Sequence, residues 1–151
     1  MAITITTAMP TSFKVEILKA VHNFTTTTGN TFKIALFVST ASGSGTFGAA
    51  TTNYSNMGAD QLPTATGYTQ TGNTLVSATP VADGTTAVCD FADTTWTSAT
   101  FTTCGALIYN SSASGAACAV LSFSGDQQVS SGDFTIQFPV AAAATAIIRI
   151  A

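Results

Sequence analysis

Two apolar runs, Cys104–Tyr109 and Ala116–Phe123, flank Asn110–Gly115, a segment made only of Asn, Ser, Ala and Gly. Short apolar runs bounded by such turn formers read as two strands joined in a hairpin, here spanning Phe101–Phe123. A hairpin alone is marginal in water, so the rest of the chain must supply strands that pair with it and elements that pack on it.

The remaining segments fit that demand. Ile3 and Ile5 alternate with threonines before Met9-Pro10, which reads as an extended N-terminal arm over residues 1–10, suited to adding to a neighbouring sheet edge. Ser12–Phe24 predicts the one helix, with Ser12 as N-cap, Glu16 in the first turn and Phe13, Ile17, Val21 and Phe24 on one face. Lys14 and Lys19 take the other face, and His22 is expected as a polar residue near the helix end. Thr25–Asn30 ends the helix in a turn, and Thr31–Ser39 alternates as a strand with Phe32, Ile34, Leu36 and Val38 on one side. Its second side, with Ala35 and Phe37, is also partly apolar.

Thr40–Thr66 reads as a long loop, rich in small residues, with Phe47, Tyr54 and Met57 spaced through it. A strand around Asn73–Thr79 and another over Thr85–Phe91 bracket the turn signal Asp83-Gly84. Phe91, Trp96 and Phe101 are expected on a connection whose aromatics close one end of the core. After the central hairpin, Gly125-Asp126 and Ser131-Gly132-Asp133 bracket a loop, Phe134–Phe138 alternates up to Pro139, and Ala146–Ile150 forms the last strand. The count predicts an all-β fold: an antiparallel β-sandwich or jelly-roll-like barrel of about seven or eight strands with one short N-terminal helix, forming a single domain over residues 11–151.

Composition excludes several functions. Charged residues are 7% of the chain and the net charge is −3, so no basic stripe exists for nucleic acid. The start lacks a basic region followed by a continuous apolar segment, and no run reaches the ~18–20 residues of a spanning helix, so the chain is expected to be made in the cytoplasm with no membrane partner. The three cysteines, Cys89, Cys104 and Cys118, each sit in an apolar run and are expected as buried thiols, with a Cys89–Cys104 or Cys104–Cys118 bridge as the alternative. A single histidine limits any Ser-His-Asp or Cys-His arrangement to His22, and Asp90 and Asp93 read as turn and cap formers rather than cation ligands. No catalytic residue, cofactor site, metal site or small-molecule substrate is expected. A surface of Thr, Ser, Asn and Gln with so little charge gives weak protection against association, which suggests a surface meant to be covered.

The segments SFKVEILKAVHNF, GNTFKIALFVST, CDFADTTW, GALIYN, AVLSF, GDFTIQFP and AIIRIA, in this order, resemble a family of small virion structural proteins of tailed bacteriophages. The resemblance covers nearly the whole chain apart from Thr40–Thr66, and Asn30 stands where an Asp is expected in the second segment. It implies a non-enzymatic particle component on the capsid surface, most simply a decoration or cement protein bound to the major capsid protein and to copies of itself as a dimer or trimer. The alternative is a tail, fibre or neck component used in host attachment. Candidate partner contacts are Ile3 and Ile5 on the arm and Phe47, Tyr54 and Met57 in the long loop.

Overall fold

A computed structural model describes residues 2–151; Met1, the first residue of the expected arm, lies outside them. In chain order the elements are β1 (Thr4–Ile5), α1 (Thr11–Leu18), β2 (Phe32–Val38), β3 (Thr46–Phe47), 3₁₀ turns over Tyr54–Asp60, β4 (Asn73–Thr74), β5 (Ser77–Asp83), β6 (Thr86–Phe91), β7 (Thr94–Asn110), a 3₁₀ turn at Ser111–Ala113, β8 (Ala116–Ile136) and β9 (Ile148–Ile150). The fold is all-β and sandwich-like with one short α-helix.

The strand β2 explains the layering, because both of its faces are apolar and both are buried. It lies inside a four-stranded sheet of order β4-β2-β7-β8, paired to β7 with Ile34 opposite Ile108 and Leu36 opposite Ala106. One face of this sheet, through Phe32, Ile34, Leu36, Ala106 and Ile108, meets Phe13 of α1, Phe24, Phe91 of β6 and Ile148 of β9. That core includes the second sheet, of order β5-β6-β9. The other face, through Ala35, Phe37, Leu107, Tyr109 and Val120, is covered by Ile3, Phe47 and Met57. A strand with apolar residues at every position but Lys33 suits a sheet covered on both faces.

The central hairpin is present and much longer than its apolar runs. β7 has 17 residues and β8 has 21, paired antiparallel from Asn110↔Ala116 at the turn to Thr94↔Ile136 at the far end. The Asn110 side chain accepts the Ala113 N–H at 3.1 Å, and Ser114 and Gly115 turn the chain at φ 53° and 83°. Trp96 and Phe101 therefore stand on a strand, not on a connection, and the loop expected between Gly125 and Asp133 is part of β8. The physical reason is that the punctuating residues make bulges. Ser98, Ser124 and Ser131 have φ of 50°, 59° and 50°, and the register shifts between Trp96 and Ala99 and again between Ala99 and Phe101. An extra residue at a bulge bends the strand without ending it.

The helix is the other correction. α1 starts after Pro10, not at a Ser12 cap, and stops at Leu18, so Val21 and Phe24 are not helical. Ala20 turns the chain at φ 57°, and in the irregular segment that follows burial alternates, with His22 and Phe24 inward between exposed residues. Phe24 then stacks on Phe32 with ring centres 4.3 Å apart and planes 5° from parallel. Burying a side chain of this size contributes about 1.5–3 kcal/mol, which a longer, solvent-facing helix would not return. The hairpin around Asp83-Gly84 forms as read, with Asp83 opposite Thr86 and Gly84 at φ 62°.

Candidate partner-contact surfaces

The structure brings the five expected contact residues together on one side of the four-stranded sheet. The arm runs back along its own chain: β1 pairs in parallel with β3, and Ala8 bridges Val120 on β8. Ile3, Phe47 and Met57 are buried in the second cluster, while Ile5 and Tyr54 are partly buried against it. Phe47 packs on Phe37 at 4.5 Å between ring centres, and Tyr54 stacks on Tyr109 at 4.4 Å. The Tyr109 hydroxyl donates to the Thr71 carbonyl at 2.9 Å, and Tyr54 is also hydrogen-bonded to Gln61. In this conformation a partner approaching here meets the exposed threonines Thr4, Thr6, Thr46 and Thr52, and at most the partly exposed Ile5 and Tyr54, rather than Ile3, Phe47 or Met57.

The segment over residues 40–66 is held by carboxylates. Asp60 accepts the N–H groups of Ser44 and Gly45, both at 2.8 Å, and Asp126 on β8 accepts the N–H and hydroxyl of Thr40 at 2.8 and 2.9 Å. The Asn53 side chain accepts the Ser55 N–H, and Asn56 reaches back to the Asn53 N–H, a reciprocal cap for the 3₁₀ turns. What reads in sequence as a loop is thus a packed cover with its own hydrogen bonds.

The remaining acids are used in the same way. Asp93 accepts the Phe138 N–H at 2.9 Å, Asp133 the Ser98 N–H at 3.1 Å, Asp83 the Ala143 N–H at 2.6 Å and Asp90 the Phe91 N–H at 2.8 Å. Asp90 thus lies within β6 rather than in a turn, and Asp93, in the two-residue connection between β6 and β7, ties that connection to Phe138 rather than capping a local turn, so the turn-and-cap expectation for these two does not hold. All seven carboxylates of the chain are accounted for once Glu16 is added, since it accepts from His22 Nε2 at 2.9 Å.

His22 is a buried core residue, not a polar edge. The Asn110 side-chain oxygen is taken by the Ala113 N–H, so its Nδ2 donates, at 3.0 Å, to His22 Nδ1 and also to Asn30 Oδ1. His22 Nε2–H is then the donor to Glu16. Cys118 Sγ lies 3.8 Å from His22 Nδ1, so a thiol, an imidazole and a carboxylate stand in line. Their surroundings oppose nucleophilic use: Cys118 is fully buried, burial raises its thiol above its ordinary range, and Nδ1 is already occupied by Asn110. The trio ties α1 and the segment after it to the end of β7 and the start of β8. Asn30 belongs to the same network, its Oδ1 accepting also from the Asn23 N–H at 2.7 Å. An aspartate would offer the same acceptor, which accounts for either residue at this turn.

Cys89, Cys104 and Cys118 are all free and buried, as their apolar settings predict. Cys104 donates its S–H to the Val38 carbonyl at 2.7 Å.

One surface was not anticipated from sequence. At the α1 end, Leu18 is 89% exposed, Ile150 53% and Val15 46%. Phe13, Ile17, Leu18 and Ile150 line a groove of about 350 Å³ together with Met9, Lys14 and Arg149. The signal was present: Leu18 belongs neither to the Phe13-Ile17-Val21-Phe24 stripe nor to the polar side of the expected helix, and shortening the helix leaves it uncovered. No protein family, curated protein or solved structure matches this chain.

Proposed function

We propose that this protein is a structural component of tailed-bacteriophage virions, and specifically a capsid decoration protein that binds the head shell and stabilises it without catalysing a reaction. The observation that carries this reading is how the chain spends its chemical groups. Every carboxylate, the lone histidine and all three thiols are engaged in holding backbone or filling core. The surface left over is sparsely charged and hydroxyl-rich, interrupted by exposed apolar side chains and open sheet edges. Such a surface is built for contact, and the likeness of GNTFKIALFVST, CDFADTTW and GDFTIQFP to phage virion proteins gives the contact a setting.

The mechanism follows from repetition. A decoration protein adds buried interface between neighbouring major capsid proteins, and many contacts of modest strength sum by avidity over the shell. Self-association as a dimer or trimer belongs to the same proposal: beyond Ser122 the outer edge of β8 has no backbone pairing among the described residues, and a symmetric oligomer would cover it. Purified protein added to shells that lack it is expected to bind them and to raise the temperature and osmotic shock at which they release DNA. Shells that release DNA at an unchanged temperature despite saturating protein would overturn the proposal. Attachment of the isolated protein to host cells would favour the tail, fibre or neck placement instead.

A further inference from the structure

We infer that the groove between α1 and β9 accepts an extended, carboxylate-bearing segment of another protein as a fourth strand on the β5-β6-β9 sheet. Three observations converge on it. First, β9 is paired with β6 on one side only, so its other side offers free backbone donors and acceptors. Two adjoining grooves run along that side: one lined by Met9, Lys14, Leu18 and Arg149, the other by Ala8, Met9, Leu121 and Ile148. Together they follow β9 from Ile147 to Ala151, a length suited to a short strand.

Second, the groove is apolar where side chains would enter, with Phe13 and Ile17 at its floor and Leu18 and Ile150 exposed at its rim. Alternate residues of an added strand would meet this floor while the others stay in water.

Third, the charged side chains that line the groove are of one sign. Of the four cations in the chain, Lys14 and Arg149 line this groove and Lys19 ends the same helix. The only ion pair among the described residues joins His22 to Glu16, so none of these cations is paired with a carboxylate within the chain, and Arg149 donates to the Ala143 and Ala144 carbonyls. A protein of net charge −3 that places two of its four cations in a groove beside an open strand edge, with a third ending the helix that walls it, favours an acidic partner. A second copy is a poor supplier of that charge, because its own carboxylates are each bonded to its own backbone or to His22. An anionic membrane would need a broad face, whereas this site is a cleft. The groove calls for such a segment whether or not it belongs to a virion shell.

The test is a titration of the full chain, followed by amide NMR shifts, with capped hexapeptides of alternating Glu and Val or of alternating Lys and Val, and with phosphatidylglycerol vesicles. The acidic peptide is expected to shift residues 14–18 and 147–150, and to bind about 10-fold more weakly to Lys14→Glu and to Leu18→Glu. Both side chains are exposed, so these variants should keep the parent melting curve, and Val81→Glu on β5 should bind as the parent does. No binding by the acidic peptide, equal binding by the lysine peptide, shifts confined to other strands, or a preference for vesicles would each overturn the inference.

Discussion

Ala20 ends α1 in the left-handed region, at φ 57°, where a residue with a Cβ is strained. Replacing it with glycine is expected to stabilise the fold by about 1 kcal/mol, read as a higher urea midpoint at unchanged slope. The His22 network makes the opposite kind of prediction. His22→Ala or Asn110→Ala strips partners from buried polar atoms and should cost about 2–3 kcal/mol, whereas Asn30→Asp keeps the acceptor for Asn23 and Asn110 and should cost less than about 1 kcal/mol. The thiols give a pH signature. Burial, aided by nearby aspartates, pushes Cys89 up to about 12 and Cys104 up to about 11 from an ordinary 9.0. Their folded values lie above their unfolded ones, so the stability tied to the neutral thiols is complete below pH 9.0 and is lost as pH climbs towards 11 and 12. A melting temperature that is flat at neutral pH and declines through this alkaline window is expected, together with slow alkylation of the native thiols at pH 7. None of the His22 partnership was legible in the sequence, because Glu16, Asn30, Asn110 and Cys118 come from four separate stretches.

Among the elements, the arm depends on a single glycine. A Cβ on Gly105 of β7 would stand 2.5 Å from the Leu121 carbonyl oxygen and 2.8 Å from the Ile5 side chain, so Gly105→Val should displace the arm and cost about 1–3 kcal/mol. Deleting residues 2–8 should uncover Phe47 and Met57 and speed hydrogen exchange across residues 40–60 while the β7–β8 ladder stays protected. Unchanged exchange in that segment would mean the arm does not hold the cover down. The alternation of Ile3 and Ile5 marks an extended segment, but a two-residue parallel pairing with Thr46–Phe47 leaves no periodic trace. Likewise Ser98, Ser124 and Ser131 look like loop residues in one dimension. They become bulges only because the long partner strand supplies backbone bonds on either side.

At the scale of the whole molecule, period-two apolar patterning and turn chemistry were enough for the all-β sandwich-like class, the central hairpin and the Asp83-Gly84 turn. The assignment of strands to three sheets was not legible, since β1, β3 and β4 have two residues each and are fixed by what they cover. Contact surfaces were harder still: large apolar residues in the arm and the long segment suggested contact, yet Ile3, Phe47 and Met57 build the second core, and the exposed apolar rim lies at Leu18 and Ile150. A chain covered on both faces of its central sheet, with its acids bonded to its own backbone or to His22, suits a particle component whose edges and rims do the gripping. Imaging intact phage particles at a resolution that recognises this fold tests that claim most directly. The account predicts copies at regularly repeated positions on the outer face of the head shell; copies confined to the tail or neck, or purified particles without the protein, would contradict it.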